Sequence, residues 1–117
     1  MVKRVTIYHN PKCSTSRQVL EMIEAAGHKP EIAEYLKVGW TKPQLKKLFA
    51  DAGIDARQAL RAKATEAAEL GLLDPKVSEA KLLDAMVAHP VLVERPFVAS
   101  PKGTRLCRPK ERVRELL

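Results

Sequence analysis

Aromatic residues are scarce: one Trp, two Tyr and two Phe in 117 residues, or 4%. That scarcity argues against a protein that stacks bases, although the net charge of +7 would suit one. No recognised nucleic-acid motif is present either, so nucleic acid is not an expected partner. Long apolar runs are also missing. None approaches the roughly 20 residues that a membrane span needs. The start, Met1-Val2-Lys3-Arg4, runs straight into a strand-like segment and not into a signal-peptide core. A cytoplasmic protein with no membrane association is therefore expected. Cysteine occurs only twice, at Cys13 and Cys107. Cytoplasmic thiols are usually reduced, which disfavours a structural disulfide. Neither cysteine belongs to a C-x-x-C pair, and the Cys/His spacing of a zinc site is lacking. No metal is expected. There is no internal repeat and no low-complexity segment.

What is present fits one domain spanning residues 1–117, with a monomer as the default at this size. Apolar residues make up 45%, enough for one core, and the 30% of charged residues are spread along the chain. Long disorder is excluded on that balance. Lys and Arg number 21 against 14 Asp and Glu. The excess favours anionic partners such as oxyanions, acidic protein surfaces, glutathione or nucleic acid, and does not choose among them. A generally basic surface would account for it equally well.

Residues 4–8 alternate and are β-prone, which predicts a strand. His9-Asn10-Pro11-Lys12 reads as a turn. Ser14 to Ala26 is a helix, with Val19, Met22, Ile23 and Ala26 on one face, and Gly27 stops it. Glu31 to Leu36 reads as a second strand, so the chain opens with a βαβ unit and a right-handed crossover. Thr41 and Gln44 form a capping-box signal before Leu45, Leu48 and Phe49. Residues 56–70 favour helix by composition. Ser78 caps a further helix that His89-Pro90 ends. Phe97-Val98-Ala99 is a strand, Ser100 to Thr104 a turn, Arg105 to Cys107 a short edge strand, and Lys110 to Leu117 a last helix. The layout is α/β: βαβ, a helical block, then ββα, making a mixed sheet with helices on its faces.

Cys13 falls between the first strand and the first helix. A helix start carries unpaired N–H groups and a partial positive charge, which favour thiolate over thiol. The same groups can hold an oxyanion beside the sulfur. Ser14, Thr15 and Ser16 add hydroxyls, Lys12 and Arg17 add cations, and His9 lies one turn away. A thiolate among donors suits attack on a tetrahedral oxyanion. The plainer alternatives stay open at this point. A lone cysteine is often a small buried residue, the Ser-Thr-Ser run can simply cap the helix, and His9 can be a turn residue. Arginines form a second feature: Arg95 before Pro96, Arg105 and Arg108 around Leu106-Cys107, and Arg61 in the Ala-rich stretch. Their planar forks bind oxyanions, but spacing alone does not bring them to Cys13. A cis bond at Arg95-Pro96 would re-aim the chain and orient Arg95.

Tyr8-His9-Asn10-Pro11-Lys12-Cys13-Ser14-Thr15-Ser16-Arg17 closely resembles the signature of glutaredoxin-linked arsenate reductases of the ArsC type. His89-Pro90, Arg95-Pro96 and Gly103-Thr104-Arg105-Leu106-Cys107-Arg108-Pro109 resemble the family's second half at its spacing. The resemblance covers essentially the whole chain. It implies a thioredoxin-like mixed sheet with an inserted helical block. It places the nucleophile on Cys13, a pKa-lowering histidine on His9 and a thiolate-supporting serine on Ser16. It places the oxyanion-binding arginines on Arg61, Arg95 and Arg108 and makes Pro96 a cis candidate; Arg17, a cation flanking the nucleophile, joins them as a candidate substrate-binding residue. The reaction implied is reduction of arsenate to arsenite. Glutathione is a cosubstrate, glutaredoxin the protein partner, and no bound cofactor is needed. Cys107 is expected to be a packed residue, with a second redox thiol as the alternative.

Two other readings compete. A glutathione-dependent thiol-disulfide oxidoreductase of the same fold would not need several oxyanion clamps. An Spx-like regulatory binding module would carry C-x-x-C at this turn, and here Ser16 follows Cys13 by three positions.

Overall fold

A computed structural model describes residues 5–117. The expected strand start at Arg4, and the N-terminal residues used to argue against a signal peptide, lie outside that range. The described chain falls into two compact units. Residues up to Val38 together with Arg95–Leu117 form one, and Gly39–Glu94, the helical block, form the other.

The first unit is built on four strands: β1 (Thr6–Tyr8), β2 (Glu31–Ala33), β3 (Phe97–Ser100) and β4 (Gly103–Leu106). Their order is β2-β1-β3-β4. β1 pairs parallel with β2, and β1–β3 and β3–β4 are antiparallel, so the sheet is mixed. Helix α1 (Ser14–Ala25) connects the parallel pair, as a parallel connection requires. On α1, Ser16, Val19 and Ile23 are buried, the i, i+3, i+7 pattern of one helical face. Val19 and Ile23 join Val5, Ile7, Val98, Cys107, Val113 and Leu116 in a single apolar cluster. Full burial of each larger member contributes about 1.5–3 kcal/mol. Ser16 is the polar exception on that face. The helix ends as the glycine predicts: Gly27 has φ +89° and its N–H donates to the Glu24 carbonyl. A 3₁₀ segment, Lys110–Leu116, packs Val113 and Leu116 into the cluster and is tied down where the Ser100 hydroxyl donates to the Leu116 carbonyl. It stands where an α-helix was expected, and no side chain caps its start.

The second strand is shorter than expected. β2 stops at Ala33, and α2 (Tyr35–Val38) takes over the stretch read as strand. β2 lies at the sheet edge with Ile32 half exposed, so few apolar contacts hold an extended chain beyond Ala33.

In the second unit, α3 (Lys42–Ala52) begins with the predicted capping box. Thr41 Oγ1 accepts from Gln44 N–H and Gln44 Oε1 accepts from Thr41 N–H. The helix expected over 56–70 is broken into α4 (Ala56–Ala59) and α5 (Thr65–Glu69). Tertiary pairing overrides composition here. Leu60 is extended and bridges Val93, and the Arg61 N–H donates to the Leu92 carbonyl at 2.7 Å. Arg57 closes the following loops by donating to the carbonyls of Leu72, Asp74 and Val77. Helix α6 (Glu79–Ala88) is capped by Ser78 as predicted and ends before His89-Pro90. Leu82, Leu83 and Met86 are its buried face.

The Arg95–Pro96 bond, a cis candidate on the resemblance, is cis, and so is Arg108–Pro109. Among the described residues no helix is long and apolar enough to cross a membrane.

Candidate active site

The turn between β1 and α1 is held by short local bonds. Asn10 is buried; its carbonyl accepts from Cys13 N–H at 3.0 Å and its Oδ1 accepts from Lys12 N–H at 3.0 Å. The Arg17 guanidinium donates to the Pro11 carbonyl at 2.8 Å. Residues 10–13 are thus closed into a loop that presents Cys13 at the N-cap of α1, half exposed. Asn10 escaped the sequence reading as a site residue. The signal was available: an asparagine that opens a turn can bond the backbone two residues on.

No side chain caps α1, so the Ser-Thr-Ser run is not the cap that the plainer reading allowed. The cap bond is not closed, yet the first N–H groups act on the sulfur. Burial alone would raise the Cys13 pKa. Against it work the backbone N–H groups of Ser16 and Thr15 and the hydrogen bond and charge of the Arg95 guanidinium. The balance lies below the ordinary thiol value, which favours thiolate.

Ser16 and His9 act one step behind the sulfur. His9 Nδ1 and Ser16 Oγ are 2.6 Å apart, both residues buried. Ser16 Oγ also accepts from Asn10 N–H at 3.1 Å. The His9 pKa is lowered, first by burial and further by the charge of Arg17, with Glu34 opposing. The shift favours the neutral ring, and the 2.6 Å contact is a hydrogen bond between Nδ1 and the Ser16 hydroxyl. His9, the residue expected to lower the Cys13 pKa, is thus placed in contact with Ser16 at the turn.

Arg95 is 8% exposed, and its Nε and Nη1 are buried without a hydrogen-bond partner. Buried guanidinium donors are normally satisfied. Their lack of an acceptor beside a thiolate leaves donor capacity that no group of the protein uses. Arg108 Nη1 donates to the Arg95 carbonyl at 3.0 Å, which holds the two arginines together. A cleft of about 270 Å³ is lined by Arg108 together with Thr15, Pro109, Lys110 and Glu111. Cys13, His9, Ser16, Arg17, Arg95 and Arg108 thus all lie in the first unit. Arg61 belongs to the second, where it pairs with Glu94 at 3.2 Å.

Cys107 is fully buried in the apolar cluster, and burial pushes its pKa up to about 12. That environment makes it the packed residue expected, not a second redox thiol.

Residues 8–116 match the ArsC family. An arsenate reductase of Synechocystis sp. is 58% identical over 113 residues, which are 97% of this chain and 81% of that protein. The arsenate reductase of Escherichia coli K12 is 48% identical over 116 residues, 99% of this chain and 82% of that one. The structure of an arsenate reductase from Vibrio cholerae superposes with a TM-score of 0.95 at 39% identity, covering 100% of both chains. The thioredoxin-like mixed sheet expected from the sequence agrees with that likeness.

Proposed function

The chain belongs to the ArsC family, and from that premise we propose that it is an oxidoreductase reducing arsenate to arsenite, with Cys13 as nucleophile. The observation that carries the site assignment is the pairing of a favoured thiolate with two orphaned guanidinium donors of Arg95. An oxyanion supplies the acceptors that such donors lack.

Arg95 and Arg108 hold the arsenate oxygens. The Cys13 thiolate attacks arsenic, and an arsenic oxygen leaves as water after protonation. A glutathione thiol adds to arsenic and displaces a second water. A glutaredoxin thiolate then attacks the glutathione sulfur and leaves as the mixed disulfide. The electron pair of the broken sulfur–arsenic bond stays on arsenic, which passes from arsenic(V) to arsenic(III). Water releases arsenite from Cys13 and returns the thiol. The thiol pair loses two electrons and arsenic gains two. Ser16 and His9 are positioning residues for the sulfur, and Arg17 fixes the turn by its bond to Pro11. Arg61 is assigned by resemblance and takes no part in the geometry that supports this reading. Glutathione and glutaredoxin are cytoplasmic reductants, so the cytoplasm is the fitting compartment.

The test is arsenate-dependent NADPH consumption, coupled through glutathione, glutaredoxin and glutathione reductase. Turnover that Cys13→Ser abolishes supports the proposal. Absence of arsenate turnover, with Cys13 still exchanging readily with glutathione disulfide, would move the protein to mixed-disulfide chemistry.

A further inference from the structure

A second cleft in the first unit lies outside the arginine set. It measures about 230 Å³ and is lined by Asn10, Pro11, Lys12, Glu34, Leu36 and Lys37. One wall is the turn that ends at Cys13, since Lys12 immediately precedes the nucleophile. The opposite wall is the segment after β2. Its apolar part is Pro11 and Leu36, and Leu36 is 41% exposed and so open to a ligand. Its polar part carries both signs: Lys12 and Lys37 against Glu34.

The reaction proposed above needs a thiol delivered to arsenic on Cys13. Drug-sized ligands occupy about 300–1,000 Å³. This cleft is smaller and suits one end of a tripeptide, not the whole. A free amino-acid head bears one carboxylate and one ammonium, which matches two lysines and one glutamate. A methylene stem matches the Pro11–Leu36 surface. The Lys37–Glu34 pair is long, at 3.6 Å, and Lys37 is 76% exposed, so the pair exchanges for a ligand at little cost.

Resting on the glutathione-dependent reading, we propose that this cleft binds the γ-glutamyl end of glutathione. Its α-carboxylate lies on Lys12 and Lys37, its ammonium on Glu34 and its methylenes on Leu36. The adjoining cysteinyl thiol is then held over Cys13.

The test has two parts. S-methylglutathione, which cannot react, is titrated into the isotope-labelled protein by NMR. Shifts centred on Lys12, Glu34, Leu36 and Lys37 are expected, and shifts confined to other residues would overturn the assignment without any variant. In turnover, Lys37→Glu and Leu36→Asp should each raise the glutathione KM roughly three- to tenfold, the range of one partly exposed charged contact. The arsenate KM and the rate of Cys13 alkylation should stay constant. Cysteinylglycine, which lacks the γ-glutamyl end, should respond to neither change. A wild-type enzyme that uses glutathione while both variants keep its KM overturns the subsite alone. Variants that change only the glutaredoxin KM assign the cleft to the protein partner instead. A wild-type enzyme with no glutathione-dependent turnover overturns the functional reading and this subsite with it.

Discussion

The two cysteines of this chain carry the same side chain in opposite surroundings. Cys13 is half exposed at a helix start, with N–H groups and a guanidinium acting on its sulfur. Cys107 is fully buried among Val, Ile and Leu, with its pKa pushed up to about 12. Burial raises both pKa values. At Cys13 hydrogen bonding and charge outweigh it, and at Cys107 the charges of Arg112 and Arg105 do not. Reactivity therefore follows from what faces the sulfur, not from the presence of a thiol. Only one of the two positions combines an accessible sulfur with donors.

The largest effect expected follows from removing the favoured thiol. Cys13→Ser should abolish arsenate turnover while the circular dichroism spectrum stays native, whereas Cys107→Ala should keep turnover within about twofold. Loss of activity in both would erase the contrast. Next come the arginines. Arg95→Ala and Arg108→Ala should each lower kcat/KM for arsenate by roughly 10- to 150-fold, from about 1.5–3 kcal/mol per lost charged hydrogen bond. Unchanged steady-state kinetics would remove them from the oxyanion site. On the other side of the comparison, Cys107→Ser puts a hydroxyl into the apolar cluster. It should cost about 1–3 kcal/mol of stability in urea unfolding, with the alkylation rate of Cys13 unmoved. The smallest effect is at Ser16→Ala. Ser16 Oγ touches His9 and Asn10. Its loss should loosen the turn and move the pH profile of Cys13 alkylation upward by less than the arginine change does.

Much of this contrast was legible in the sequence, because helix starts and caps are local. The strand–turn–helix setting of Cys13, the Thr41 capping box, the Ser78 cap and the Gly27 stop all rest on a few neighbouring residues. The break at Leu60 was not legible, since it depends on pairing with Val93, more than thirty residues away. Composition over 56–70 carries no trace of that bridge. The early end of β2 was hidden for a related reason: strand propensity at 34–36 does not report the edge position of the strand. At the site, residue types pointed to the sulfur and the arginines. The sequence did not show that His9 meets Ser16, nor that Asn10 closes the turn. Both depend on side chains brought together by the fold of the turn.

The most direct measurement of the central claim is native-state alkylation by iodoacetamide across pH, with each site read by mass spectrometry. Thiolate is the reacting form, so the rate falls as pH drops through the folded pKa and levels off above it. Cys13 alone should be labelled, with a midpoint below the ordinary thiol value of about 8.5, while Cys107 stays unmodified until the protein unfolds. Labelling of both cysteines in the folded protein, or a Cys13 midpoint at or above that value, would contradict the claim.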